Sequence, residues 1–352
     1  MTFIKKINIS SFGHYDYEAL RDNTEMLLNI LKKSKLNAKI SNEIYKNNIN
    51  LIYEGHHPSY WKKVEEKLNK SRKGKNYLVV TEELTFSKFL NIEDLTFNQF
   101  ETLYEKSIFK KIFRLKLLNY FYNLEKKINF LKKGLKKNIY KKILNYNKID
   151  KYDIIMKDRY LFFLKILPYF DGIISTYDNI NYKKICSVKK KKYIFIPHLF
   201  DKEILKKKRK KKKKIDILFT GQINNYRKKI FSKINYKIHV EKIVNYKMRD
   251  KLYNNSKILI CLSKNRYQNK SSTNRTFLAI KKNIIPIIQK CKIEDQLDNF
   301  GFVSETENLN FMINKILNNY KIYNELFQKK RQMAYEKYNI LRYKNKLIRF
   351  FN

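Results

Sequence analysis

Glycine is rare in this chain, seven residues in 352. One of the seven, Gly221, stands where the apolar run Ile215 to Thr220 gives way to a polar stretch. A glycine between a strand and a helix lets a ligand come close to the backbone and leaves the first helix amides free to face an anion. Six residues on, Arg227 falls on the first turn of the helix expected over Tyr226–Lys233, with Lys228 beside it. Ser263 and Lys264 follow the run Lys257–Leu262, and Asn274, Arg275 and Thr276 open the next helix with a charge, a hydroxyl and terminal amides. Arginine suits such a place because its planar fork pairs bidentately with phosphate oxygens. The chain has 12 Arg against 66 Lys, so Arg227 and Arg275 say more than any lysine, Lys264 included. The shared chemistry is the holding of a phosphate-bearing anion beyond the carboxyl ends of parallel strands. A bare turn glycine and a surface arginine are the plainer alternatives.

Groups able to take a proton from a hydroxyl follow strand-like runs in the first half: His14 and Asp16, then His56 and His57, then Glu82 and Glu83. His198, directly after Pro197, either lines a crevice or makes a hinge contact. The five histidines show no metal-ligand spacing, and Cys186, Cys261 and Cys291 form no C-x-x-C pair. The cysteines read as buried free thiols of a reducing compartment. No metal and no cofactor are expected.

The formal charge of +46 invites a nucleic-acid reading. Its excess is lysine, and Lys, Asn, Ile, Tyr and Phe are the residues of AT-rich codons, so codon bias accounts for much of it. Nucleic acid is therefore not expected as a partner. Attraction to an anionic membrane surface or to phosphorylated small molecules survives that discount better. No signal peptide is visible, and no apolar run approaches the ~18 residues that a membrane span needs. The expected location is the cytoplasm, with a peripheral contact at the inner membrane face as an option.

Alternation organises the rest. Strands are expected at Ile4–Ser11, Asn37–Ser41, Ile49–Tyr53, Tyr77–Thr81, Gly172–Thr176 and Tyr193–Pro197, with helices at Glu18–Lys33 and Tyr60–Leu68 among them. The second half repeats the rhythm with strands at Ile215–Thr220, Tyr236–Val240, Lys257–Leu262, Ile284–Ile288 and Phe302–Ser304, and ends in a tail that reads as wholly helical from Lys321. This is an α/β pattern of two doubly wound parallel sheets. Residues 105–150 interrupt it as a basic helical insertion, with 14 basic residues and one acid between Lys106 and Lys148. That segment is either an amphipathic helix pair with a lysine wet face or a surface lying on anionic lipid. Nine basic residues from Lys206 to Lys214 separate the halves. Such a run repels itself and stays solvated, as a hinge would, with an import signal as the alternative. The expected division is a first domain over 1–204, a hinge over 205–214, a second domain over 215–335 and a C-terminal helix over 336–352.

Several segments, in order, resemble GT-B glycosyltransferases. DGIISTYDNI (171–180), YIFIPHLFD (193–201) and IDILFTGQI (215–223) are similar to that family's domain junction, with Asp171, Ser175, Pro197, Asp201 and Gly221 on its pattern positions. MRDKLYNNSKILICLS (248–263) and STNRTFLAIKKNIIPII (272–288) resemble its donor-site half. The likeness departs at Leu278, where the family has an acid, and at Asn283, where it has glycine. It implies two Rossmann-like domains facing each other across a cleft. It also implies transfer of a sugar from a nucleotide-diphosphate donor to a hydroxyl acceptor without an obligatory metal, the acceptor being a cell-surface glycan or a lipid-linked saccharide. Gly221, Arg227, Ser263, Lys264, Asn274, Arg275 and Thr276 would then bind the donor, and His14 would serve as base. A relative that lost activity with the acid at Leu278, or a basic nucleic-acid-binding protein, are the rival readings.

Overall fold

The computed structural model describes residues 6–10, 17–53, 61–70, 74–81, 163–206, 213–221, 223–241, 246–263, 271 and 273–351. The basic insertion, the middle of the lysine run, His14, Asp16, His56, His57, Glu82, Glu83 and Lys264 lie outside them. Six short apolar runs form the first sheet: β1 Ile7–Ser10, β2 Ala38–Ser41, β3 Ile49–Tyr53, β4 Lys75–Val80, β5 Gly172–Ser175 and β6 Lys192–Phe195. Their order is β2-β1-β3-β4-β5-β6, and the pairs β1–β3, β3–β4, β4–β5 and β5–β6 are parallel. Strands β3 and β4 are almost continuously buried because crossover helices cover both faces of such a sheet. The helices described with it are α1 Tyr17–Lys33, α2 Trp61–Lys70 and α3 Ile180–Val188.

The second sheet contains β7 Ile215–Thr220, β8 His239–Glu241, β9 Ser256–Cys261, β10 Ile285–Gln289 and β11 Phe302–Ser304, in the order β11-β10-β9-β7-β8, again with parallel pairs. Between and after these strands run α4 Asn225–Phe231, α5 Tyr246–Asn255, α6 Thr273–Lys282, α7 Leu309–Asn318, α8 Tyr320–Lys337 and α9 Ile340–Phe351. Two compact units result, one of Lys5–Tyr15 with Ser41–Phe195, the other of Met1–Ile4, Asp16–Ile40 and Ile196–Asn352. Helix α1 and residues 196–204 thus group with the second sheet.

Polar residues buried in the first sheet serve its register. Asn8, Asn50 and Asn76 stand opposite one another on β1, β3 and β4 and are all buried. Asn50 Nδ2 donates to Asn76 Oδ1 (3.0 Å) and to Tyr45 O (2.8 Å), while Asn50 Oδ1 accepts from Tyr45 N (3.0 Å). Asn8 donates to Glu43 O (2.6 Å) and accepts from Ser41 Oγ (2.8 Å). Asp171 accepts from Asn76 N at 2.8 Å. A parallel sheet slipped by one residue would break this row, so the row specifies the pairing.

Three details differ from the sequence expectation. Strand β8 begins at His239 rather than Tyr236, because Asn235 N and the Tyr236 hydroxyl are tied to Asn310 and Asn314 of α7 instead of a ladder. The helical tail divides at Tyr338–Asn339, where Phe200 N donates to Tyr338 O (2.8 Å) and Ile340 N to Phe200 O (3.2 Å), a strand-like bridge that no helix accommodates. The lysine run is not solvated throughout: Lys213 Nζ donates to Asn283 O at 2.7 Å, and burial together with the Arg331 charge presses its ammonium down to about 8. Asn283 is itself left-handed, φ 60°, and ends α6 with Ile284 N bonded to Ala279 O at 3.0 Å. Asparagine is the residue that best replaces glycine in this conformation, so the departure from the family glycine is conservative in backbone terms.

Candidate functional site

In the second sheet the chain starts at β7, moves outward to β8, then returns past β7 to β9, so connections leave in opposite directions on either side of the β7–β9 pair. Beyond the carboxyl ends of such a pair a crevice opens that no crossover covers. The register, Leu218 opposite Leu259, puts Gly221 level with Leu262 three residues further on. Gly221 has φ +130°, which side chains rarely adopt, and a Cβ there would lie 2.6 Å from Arg275 Nη2. Its N–H is held by Glu241 O at 2.8 Å.

Two guanidiniums converge here. Arg275, on the first turn of α6, donates through Nε to Thr220 O (3.0 Å) and through Nη1 to Leu262 O (2.9 Å). Arg227, on α4, donates through Nε to Ser263 O (2.9 Å) and through Nη2 to the same Leu262 O (3.1 Å). Both lie over the Phe219 ring, each with its guanidinium carbon 5.2 Å from the centroid. Carbonyls at strand ends carry only partial charge, so they orient the two forks without neutralising them. Among the described residues Arg275 has no carboxylate partner. Burial, then the neighbouring Arg275 charge, lowers Arg227 to about 9, and burial lowers Arg275 as well. Two like charges packed on one ring are unfavourable unless something negative joins them.

The other residues singled out by sequence sit around this pair in different roles. Ser263 is buried, its N–H donating to Gln289 Oε1 (3.0 Å) and its hydroxyl 3.2 Å from Cys291 Sγ, so its carbonyl is the part that serves the site. Thr276 is fully buried with its hydroxyl against the Cys261 thiol, which takes it out of the ligand-facing set. Asn274 is half-buried and bonds through Oδ1 to His198 Nε2 at 2.7 Å. Asn224 caps α4 by accepting from Arg227 N at 3.0 Å, so that amide is already engaged. Sequence reasoning missed Phe219, Thr220, Leu262 and the Gln289 bridge, whose Nε2 donates to Tyr226 and to Thr306. Burial pushes the Cys186 and Cys261 thiols up to about 12. Among the described residues no group of three His, Cys, Asp or Glu side chains is placed to hold a metal, and no helix is long and apolar enough to cross a membrane.

No family model matches the sequence, and no curated protein does. Solved structures do. The β-glucosyltransferase of T4 phage superposes with a TM-score of 0.53 over 98% of this chain and 99% of its own, at 9% identity. Anabaena HepE, solved in complex with UDP-glucose, superposes with a TM-score of 0.50 over 99% of both chains, at 6% identity. The chain has the GT-B glycosyltransferase fold. At such identities the likeness speaks for the fold alone.

Within the GT-B fold, the positions that the sequence resemblance picked out divide by role. Asp171 and Ser175 serve the first sheet, Asp171 as the acceptor of Asn76 N and Ser175 by bonding Tyr177 in a tight turn. Asp201 bonds Lys33 Nζ (2.6 Å) and Asn29 Nδ2 (3.0 Å). Burial works to raise its carboxyl, but these partners hold it below the ordinary range. Leu278, on the position of the family acid, is buried and presents no polar group. Gly221, by contrast, stands beside Arg275 beyond the strand ends.

Proposed function

We propose that the chain is a glycosyltransferase that moves a sugar from a nucleoside-diphosphate donor to a hydroxyl acceptor. The observation that carries this reading is Arg275, a half-buried residue whose guanidinium, among the described residues, bonds to strand-end carbonyls alone beside Gly221, with Arg227 on the same aromatic ring. When the glycosidic bond to the donor breaks, negative charge grows on the departing diphosphate. Fixed cations stabilise that charge by a few kcal/mol per well-placed group, and they do so without a metal. Of the two structures compared, one holds UDP-glucose, which makes UDP-sugars the first donors to test. His14, in the segment after β1, is the proposed base. Strand β1 lies between β2 and β3, so its carboxyl end is at the first sheet's own point of reversal. A glycan or a lipid-linked saccharide is the proposed acceptor, reached by a basic surface resting on anionic lipid.

Isothermal titration of the full chain with UDP, UDP-glucose, GDP and ADP tests this. One nucleotide is expected to bind selectively at micromolar concentration; no heat with any of them at millimolar concentration overturns the reading. The buried Leu278 favours one alternative, a relative that keeps the fold without turnover. Release of UDP from UDP-glucose in the presence of acceptor glycans decides between the two.

A further inference from the structure

His198 is 1% exposed, its Nε2 is 2.7 Å from Asn274 Oδ1, and its buried Nδ1 has no hydrogen-bond partner among the described residues. Its ring packs against Phe277 with centroids 4.9 Å apart. A neutral ring has only two arrangements that fit this geometry. With the proton on Nε2, the imidazole donates to the Asn274 oxygen and leaves a bare lone pair at Nδ1. With the proton on Nδ1, the ring accepts from the Asn274 amide and leaves a buried N–H with no acceptor. Orphaned buried donors are rarer than under-satisfied acceptors, so the first arrangement is the stable one. It fixes the Asn274 carboxamide: the oxygen is engaged by the histidine, and the NH2 group is what remains for a ligand.

We infer that His198 is a positioning residue that holds Asn274 with its amide NH2 turned to the ligand, making the first turn of α6 a donor-only surface that selects hydrogen-bond acceptors such as phosphate oxygens. The inference rests on the nucleoside-diphosphate reading of the Arg275 site. Asn274 and Arg275 are consecutive on α6, and the family acid that would supply an acceptor on that helix is replaced by the buried Leu278. Burial lowers His198 to about 4, the bond to Asn274 and the charge of Asp22 both opposing that shift, so the ring is neutral at physiological pH.

The test has two readouts. Side-chain 15N NMR of the full chain, labelled at histidine, reports the tautomer without any ligand. A protonated Nε2 is expected, and a protonated Nδ1 overturns the inference whatever the protein binds. UDP titrations of His198→Leu and His198→Gln supply the second readout, each with a melting curve to establish folding. Leucine cannot donate to Asn274 and is expected to weaken UDP binding about fivefold, whereas glutamine keeps an N–H donor and stays within about twofold of the wild type. Equal affinity of the leucine variant and the wild type overturns the positioning role. If the wild type binds no nucleotide, the donor reading fails and this inference with it, and the tautomer identifies which premise was wrong.

Discussion

The asparagine row in the first sheet and the arginine pair in the second are both polar clusters inside parallel β structure, yet they are built on opposite principles. In the row, Asn50 gives and accepts bonds within the sheet and its turns, and Asp171 closes the series on a backbone amide. Fully satisfied groups of this kind specify one pairing. In the pair, strand-end carbonyls hold the guanidiniums in place, but the described residues bring Arg275 no counter-charge. A network closed on itself marks structure; under the proposed function, a network with surplus charge at a switch crevice marks a place for an anion. Polarity and burial alone do not separate the two, whereas the balance of charge does.

The sharpest way to break this comparison is Arg275→Met, which keeps the apolar stem and removes the charge. Nucleotide affinity is expected to fall roughly 100-fold in titration, with a melting temperature equal to or above the wild type's. Unfolding of that variant would make Arg275 as structural as the asparagines. Asn50→Ala should do the reverse, lowering stability by about 2–3 kcal/mol in urea denaturation, with the affinity of the folded protein intact. An effect of comparable size, confined to acid pH, comes from His198, whose pKa falls on folding. An unfolded chain takes up its proton near pH 6.5 and the folded chain only near 4. The related stability is complete above pH 6.5 and is lost as pH falls through 4, by at most about 3 kcal/mol. The denaturant midpoint should follow that window, and His198→Gln should flatten it. Least affected is Asn283→Gly: glycine relieves the left-handed backbone but loses the bond from Gln328 Nε2 (2.7 Å), and stability should change by less than about 1 kcal/mol.

Much of the fold was legible because parallel strands buried on both faces read as mostly apolar runs; β3 and β7 have the limits expected from sequence. Arg227, Arg275 and Gly221 were legible because scarce residues stood at strand ends. The division of labour along α6 was not. Asn274, Arg275 and Thr276 are neighbours in sequence, but each helical step turns the side chain by ~100°, so one meets His198, the next meets Leu262, and the third enters the core. No composition signal reveals which is which until the helix is docked. The carbonyls of Thr220, Leu262 and Ser263 were equally hidden, since every residue has one. The bond between His198 and Asn274 spans 76 positions of sequence and left no local trace.

The strand-end carbonyls have one more consequence, for kinetics. Arginine side chains usually surrender rotational freedom when they close on a ligand, and that loss slows and weakens association. Here Thr220, Leu262 and Ser263 have already frozen both forks over the Phe219 ring. Under the proposed function, an incoming diphosphate would meet a surface whose reorganisation was completed when the chain folded. Capture should proceed at rates set by diffusion and ionic strength, and discrimination between ligands should reside in how slowly the right one leaves.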